Sequence, residues 1–420
     1  MHTATVEAAP AEAPLPGELM SSGQRARLII VLGLLIAIGP LTIDMYLPAL
    51  PNLTASLHTT SAAVQLTLTG TLLGLAIGQL LIGPVSDAVG RRVPLLAGLV
   101  LHVVASVLCV FAPGIAVLGV LRVLQGLGVA AASVVAMAIV RDLFSGSAFA
   151  SLFSRLMLVM GAAPILAPTL GSWLLQWTDW RGVFVALALL GTALIGVGVF
   201  GLKETLPPAQ RRTGGVGATL HVYGMLVRDR TFVGLVVVAG LAMASLFSYV
   251  AGSSFVLQEQ YGLNEQQFGF AFGANAFGLI LATQFNVRLL RRFTPQQILV
   301  AALVTGSIAG LGLLAFAVTA VGGLAAILVS LWLVLASAGL ALPNAPALAM
   351  SRHGEAAGTA AALLGAVQFG IGAAAAPLVG VLGNDSVGMA VVVAGGMVSA
   401  LVAVSIVVRP VRAELAAATA

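Results

Sequence analysis

Apolar residues run along this 420-residue chain in long blocks separated by short polar gaps. A helix rises about 1.5 Å per residue, so blocks of about 20 residues match the thickness of a bilayer's hydrocarbon core. The pattern predicts helices over 28–50, 62–84, 93–112, 115–140, 152–176 and 182–202, then over 231–257, 267–287, 298–318, 321–348, 360–383 and 386–408. Between the two sets lies the longest polar interruption, Lys203 to Arg230, whose KETLPPAQRRTGG combines proline, glycine and charge. Six blocks, a linker and six more predict an all-α membrane protein of twelve transmembrane helices in two pseudo-symmetric six-helix bundles. The expected division is a tail over 1–27, a bundle over 28–202, a linker over 203–230, a second bundle over 231–408 and a tail over 409–420. Direct self-similarity is confined to a basic pair after the second block of each half, Arg91-Arg92 and Arg291-Arg292.

Composition agrees: 60% of residues are hydrophobic and 8% charged, against about a quarter charged in a soluble domain. The net charge of +5 does not point to nucleic acid, because the basic residues occur as pairs in the gaps, without a basic helix or interleaved aromatics. With both termini on one side, that side collects seventeen of the nineteen basic residues, leaving Arg181 opposite and Arg122 within a span. The positive-inside rule therefore puts both termini in the cytosol. Trp173, Trp177 and Trp180 cluster at the outer end of the fifth helix, where indole rings favour the headgroup region. Glu7, Glu12 and Glu18 with Pro10, Pro14 and Pro16 are wrong for a signal peptide, so the first residues read as a short disordered cytosolic tail before an uncleaved first span. The single cysteine, Cys109, lies inside an apolar run and offers neither an intrachain disulfide nor a cysteine-based metal site.

Against this background Asp44 stands out, following IAIGPLTI and preceding MYLPALP. A carboxylate at membrane depth costs roughly 2.5 to 3.5 kcal/mol, so it is read as functional by default. Counted from Leu28, it sits about 24 Å along the helix. With water access it can bind and release a proton, and a change of surroundings between conformations changes its hold on that proton. The alternative is a shorter first span with Asp44 at its outer end, near Pro48 and Pro51. Arg122, within LRVLQGLGVAAA, stays charged at any pH and is a natural partner for Asp44. Equally, it is a structural arginine satisfied by carbonyls or by Gln125. His102 reads as a packed side chain more readily than as a proton relay.

Three further groups carry chemistry. Gly83, Asp87, Gly90, Arg91 and Arg92, in GPVSDAVGRR, join a tight turn to charges that can pair in one transporter state and part in another; positive-inside charge alone explains the arginines but not the spacing. Gly161, Pro164, Pro168 and Gly171, in MGAAPILAPTLGSW, suit a bending helix that a neighbour approaches closely, although Gly70, Gly74 and Gly78 show that small residues also serve plain packing. Gln65, Tyr249, Phe255, Asn275 and Gln368 are candidates to line a substrate cavity, or equally to seal helix interfaces. A phosphate-binding loop with its lysine, a metal-ligand cluster and a soluble catalytic segment are absent from the sequence, so no enzyme activity and no cofactor are expected and an ion gradient supplies the energy.

Taken together these residues resemble the major facilitator superfamily, and within it the Bcr/CflA branch of drug:proton antiporters. LTIDMYLPALP resembles that branch's first-helix signature, GPVSDAVGRR the loop between helices two and three, LRVLQGLG the fourth-helix arginine motif, APILAPTLGSW the antiporter motif and KETLPP the opening of the linker. The resemblance implies the major facilitator fold and export of small amphiphilic drugs in exchange for protons by a monomer, through a cavity between the halves. It also implies that Asp44 and Arg122 are the coupling pair, that Asp87, Gly90 and Arg91 belong to a cytosolic gate, and that Pro164, Pro168 and Gly171 belong to the antiporter helix. Ala88 departs from the usual basic residue of the loop motif, and Ala167 and Ser172 from glycines of the antiporter pattern. A proton-coupled importer or metabolite exporter of the same fold is the alternative, and a membrane-embedded enzyme or receptor the more distant one.

Overall fold

The computed structural model describes residues 15–211, 215–351, 353 and 356–418. The tail expected to be disordered falls largely outside them, as do Arg212 and Arg352 of the basic side. The first helix, α1 (Ser22–Asp44), starts before the apolar run does. The reason is a capping box: Ser21 Oγ accepts the Gln24 N–H and Gln24 Oε1 accepts the Ser21 N–H. A 3₁₀ turn over Leu47–Ala49 and the short α2 (Leu50–Ser56) prolong this span past its two prolines. The first bundle is completed by α3 (Ser61–Val89), α4 (Arg92–Val110), α5 (Ile115–Leu143), α6 (Gly146–Leu174) and α7 (Trp180–Gly201). After α8 (Gly215–Arg228) the second contains α9 (Arg230–Phe255), α10 (Glu265–Leu289), α11 (Pro295–Thr319), α12 (Gly323–Met350), α13 (Ala357–Ala375), the short α14 (Leu378–Val381) and α15 (Ser386–Ala418).

Twelve of these helical segments are long and apolar enough to cross a membrane, and no strand occurs among the described residues. Ile30, Val120, Leu189 and Ile308 point outward, each more than 60% exposed, which only a lipid solvent tolerates over so much surface. Between helices the contacts rest instead on small residues. A Cβ on Gly74 would lie 2.0 Å from Val123 O, and one on Gly126 2.0 Å from Thr71 O, so α3 and α5 pack backbone to backbone.

The bundles meet along two matching seams, α3 against α13 and α6 against α10. In each seam the second spanning helix of one bundle faces the fifth of the other. The linker is more ordered than a polar tether, since it contains the amphipathic α8, with Leu226 buried and Leu220 and Val227 exposed. Tyr223 of α8 donates to Leu80 O at 3.3 Å. That carbonyl is the acceptor which Pro84, four residues on and lacking an N–H, cannot satisfy. At the far end α15 runs to Ala418, beyond the expected stop at residue 408.

Candidate functional site

A cavity of about 990 Å³ lies between the bundles. Its deep end is formed by Asp44, Tyr249 and Phe272, and it reaches the basic face, where Asp87, Arg91, Arg141, Asp142 and Tyr223 line its mouth. The wall between is apolar, with Met137, Met157, Met160 and Met243 beside Phe153, Phe247 and Phe369. Methionine and phenylalanine adapt to ligands of varied shape. Pro40, inside α1 and four residues before Asp44, belongs to this wall, and Gly161 and Pro164 of α6 also line it.

Asp44 ends α1 and is 6% exposed. Its carboxylate faces the cavity, and no salt bridge reaches it among the described residues. The expected pairing with Arg122 is therefore not made in this conformation. Arg122 is fully buried and stands outside the cavity wall. Its Nη1 donates to Thr42 O at 3.0 Å and to Gln125 Oε1 at 2.8 Å, and its guanidinium lies 4.7 Å from the Tyr46 ring centroid and 5.7 Å from that of Phe184. Helical phase explains the separation. Thr42 in α1 and Tyr46 in the turn that continues it, four apart and in right-handed helical conformation, share the side turned to α5, whereas Asp44, two from each, is rotated by about 200° from either. Gln125 in turn donates to Ser106 Oγ, Ser106 to His102 O, and His102 Nε2 lies 3.0 Å from Thr42 Oγ1. His102 thus belongs to a packed polar network around the arginine, away from the cavity.

The loop motif forms a compact charge cluster on the basic face. Gly90 ends α3 with φ +101°, where a side chain would be strained and a Cβ would lie 2.6 Å from Glu204 Oε2. Arg91 spans Asp87 Oδ1 (2.5 Å), Ser86 Oγ (2.9 Å) and both carboxylate oxygens of Asp142 (2.9 and 3.1 Å). Glu204, at the start of the linker, accepts the backbone N–H groups of Arg91 (2.8 Å), Arg92 (3.2 Å), Thr205 and Leu206. It thereby caps α4, whose own N-cap side chain makes no such bond. Burial works against the Glu204 charge, but these four donors outweigh it and hold the carboxyl below its usual range. Arg92 turns away to Val199 O at 2.7 Å, while a Cβ on Gly83 would meet nothing within 4 Å. Asp142 and Glu204 were not singled out by sequence. The signal available for Glu204 was its place in KETLPP; for Asp142 it was its place beside Arg141 at the end of the fourth span.

On the opposite face the bundles are joined and the cavity is closed. Gln65 donates to Asn384 Oδ1 at 2.6 Å and to Ala251 O at 3.3 Å; Ser254 donates to Leu47 O at 2.7 Å; Asn52 donates to Glu265 Oε1 at 2.8 Å. Ser172, in place of an expected glycine, sits 2.7 Å from Glu265 O across the α6–α10 seam. Gly171 beside it packs on the end of α1, where its Cβ would lie 2.1 Å from Met45 O, and Pro168, also buried, turns its carbonyl to α10, 3.4 Å from where a Cβ on Gly269 would lie. Of the five proposed cavity residues only Tyr249 lines the wall, stacked on Phe272 with centroids 5.1 Å apart. Asn275 stands behind it, with Nδ2 3.4 Å from the Tyr249 hydroxyl. Gln65 belongs to the closed face, and Phe255 and Gln368 are buried in packing away from the cavity. Polar character alone does not reveal which way a residue points on a helix with polar and apolar residues on every side.

The sequence model of the Major Facilitator Superfamily matches residues 32–377. The chain belongs to that family. It is a transporter rather than an enzyme, a multi-pass membrane protein of twelve spans. It is 37% identical over 368 residues, 87% of this chain and 91% of the relative, to the uncharacterized MFS-type transporter YdgK of Bacillus subtilis. It is 28% identical to a bicyclomycin resistance protein homolog of Haemophilus influenzae, covering 85% of this chain and 90% of the relative. With the multidrug resistance protein MdtL of Escherichia coli it shares 29% identity over 69% of this chain and 73% of the relative. These matches support the Bcr/CflA-type resemblance. The fold superposes on the partially occluded inward-open xylose transporter XylE from E. coli with a TM-score of 0.72 at 13% identity, covering 91% and 97% of the two chains. On the nucleoside transporter NupG the TM-score is 0.74 at 11% identity, covering 91% and 99%.

Proposed function

We propose that this transporter exports small amphiphilic drugs in exchange for protons, by alternating access, as a monomer in a bacterial cytoplasmic membrane with both termini cytosolic. The observation that carries the reading is the Asp44 carboxylate, without an ion-pair partner among the described residues, at the deep end of a large cavity whose wall is mostly apolar up to its charged mouth. A carboxylate without an ion-pair partner can take up a proton with no bridge to break, and that proton then competes with a ligand for the same cavity. The methionine and phenylalanine wall sets size and polarity rather than one shape, as multidrug recognition requires. The basic face, assigned to the cytosol by its arginines, is the face the cavity reaches, so the conformation is inward-open and accessible to a drug inside the cell. Relatives named for bicyclomycin and multidrug resistance support the substrate class. No cofactor is required; the proton gradient supplies the energy.

The test uses two assays. Expression in a drug-sensitive host is expected to lower its susceptibility to at least one antibiotic. In proteoliposomes, Asp44→Asn is expected to abolish pH-gradient-driven drug movement. Retained coupling in Asp44→Asn removes Asp44 from the mechanism, and an unchanged susceptibility profile across antibiotic classes removes drug export.

A further inference from the structure

The closed face contains a grip that neither the charge motifs nor the cavity explains. Past Asp44 the chain makes the 3₁₀ turn Leu47–Ala49, and Leu47 O accepts a short-range bond from the Leu50 N–H. The α-helical bond from position 51 cannot form, because Pro51 has no N–H. The Leu47 carbonyl therefore keeps a lone pair free, and the donor that fills it comes from the other bundle: Ser254 Oγ on α9, at 2.7 Å. Gln258, one turn further, donates to Ser254 Oγ at 2.8 Å and to Pro48 O at 3.3 Å. Amide, hydroxyl and carbonyl thus form one chain of donors and acceptors across the seam. Around Gln258 the helix widens into a π-turn, Val256–Gln260, with the Tyr261 N–H reaching Val256 O. Such turns break the regular phase of a helix and recur at functional sites.

Two features make this a latch rather than cement. Every partner is neutral, so each bond is worth little net free energy and can be exchanged for water when the face opens. The gripped turn also begins three residues beyond Asp44, so it moves with the carboxylate it follows.

We propose that Ser254, holding the Leu47 carbonyl that Pro51 leaves free, and Gln258, holding the neighbouring carbonyl of Pro48, are the outer-gate latch that keeps the transporter inward-open. They are positioning residues, and the inference rests on the alternating-access reading.

The experiment places spin labels at cysteines introduced for Gln176 and Val321, both exposed on the closed face, one in each bundle. The background is Cys109→Ser, which removes the single native cysteine. Inter-label distances are measured on the full chain in lipid nanodiscs. Ser254→Ala, Gln258→Leu and Pro51→Ala are each expected to raise the ratio of open to closed distances by about twofold to tenfold, the effect of losing one or two neutral hydrogen bonds. Pro51→Ala returns a helical donor to Leu47 O without touching the serine, so combining it with Ser254→Ala is expected to add nothing further. Ser254→Thr keeps the hydroxyl and the closed population. Ser253→Ala, whose hydroxyl bonds only its own helix at Val250 O, leaves the distances unchanged and controls for folding. Unchanged distances in both Ser254→Ala and Gln258→Leu, or simple additivity with Pro51→Ala, overturn the latch. Drug efflux is scored in parallel: shifted distances without any drug phenotype refute drug export and leave the latch standing.

Discussion

Arg122 shows how a buried charge is accommodated without a counter-ion. Its Nη1 shares a carbonyl and an amide, two aromatic faces cover the guanidinium, and Nε and Nη2 have no partner among the described residues. A lysine presents a point charge that cannot reproduce the planar fork or stack on both rings. Arg122→Lys is therefore expected to lower unfolding free energy in detergent by about 1.5 to 3 kcal/mol, the loss associated with a charged hydrogen bond, and a variant as stable as the parent would contradict this placement. Both charges at membrane depth were legible in the sequence because each interrupts an apolar run. Their failure to pair was not legible, since it depends on whether residue 44 or residue 46 faces α5.

Among helices, glycine positions separate into those that define a contact and those that do not. A methyl group at Gly171 would strike the backbone at Met45 and push α6 away from α1. Gly171→Ala is expected to cost about 1 to 3 kcal/mol and to impair transport, as read by thermal unfolding and vesicle uptake. Gly83 faces open space inside α3, so Gly83→Ala is expected to leave stability unchanged or raise it by up to about 1 kcal/mol; any transport defect it causes then belongs to another conformation. Sequence placed both glycines in motifs. Only the neighbouring backbone distinguishes them. Three prolines behave alike: Pro51 leaves Leu47 O to Ser254, Pro84 leaves Leu80 O to Tyr223, and Pro343 leaves Gly339 O to Thr283, at 2.9 Å. Each of these three supplies an acceptor that another element occupies.

Across the whole molecule the two faces are built from different chemistry. The closed face is held mainly by neutral amides and hydroxyls, and the basic face carries the Arg91, Asp87 and Asp142 cluster inside the first bundle, joined by Glu204 of the linker. Because Glu204 is held below the ordinary carboxylate range, its contribution to stability is complete above the unfolded-state value of about 4.3 and is lost as pH falls through the lower folded-state value. Thermal stability in detergent is accordingly expected to be flat in this respect near neutrality and to fall in acid, with Glu204→Gln less stable at pH 7 and less sensitive between about pH 5 and 3. A variant as acid-sensitive as the parent would exclude Glu204 from that transition. The echo at Arg291-Arg292 is of charge alone: both side chains are exposed and make no ion pair among the described residues.

Hydrophobic length and the distribution of arginine were enough, from sequence alone, to determine a twelve-span protein in two halves, because bilayer thickness and charge asymmetry act on composition and order. The same sequence marked Asp44 and Arg122 as unusual for membrane depth, and singled out the loop motif and the fifth-helix glycines and prolines by their spacing. Which of these meet was decided by tertiary structure. In lipid, outward and inward faces are equally apolar, so helix rotation leaves little trace in hydrophobicity and is set by backbone approach at small residues. That rotation turned Asp44 to the cavity and Arg122 away from it, moved Gln65 from the substrate wall to the closed face, and brought Ser254 to a carbonyl that Pro51 had left free.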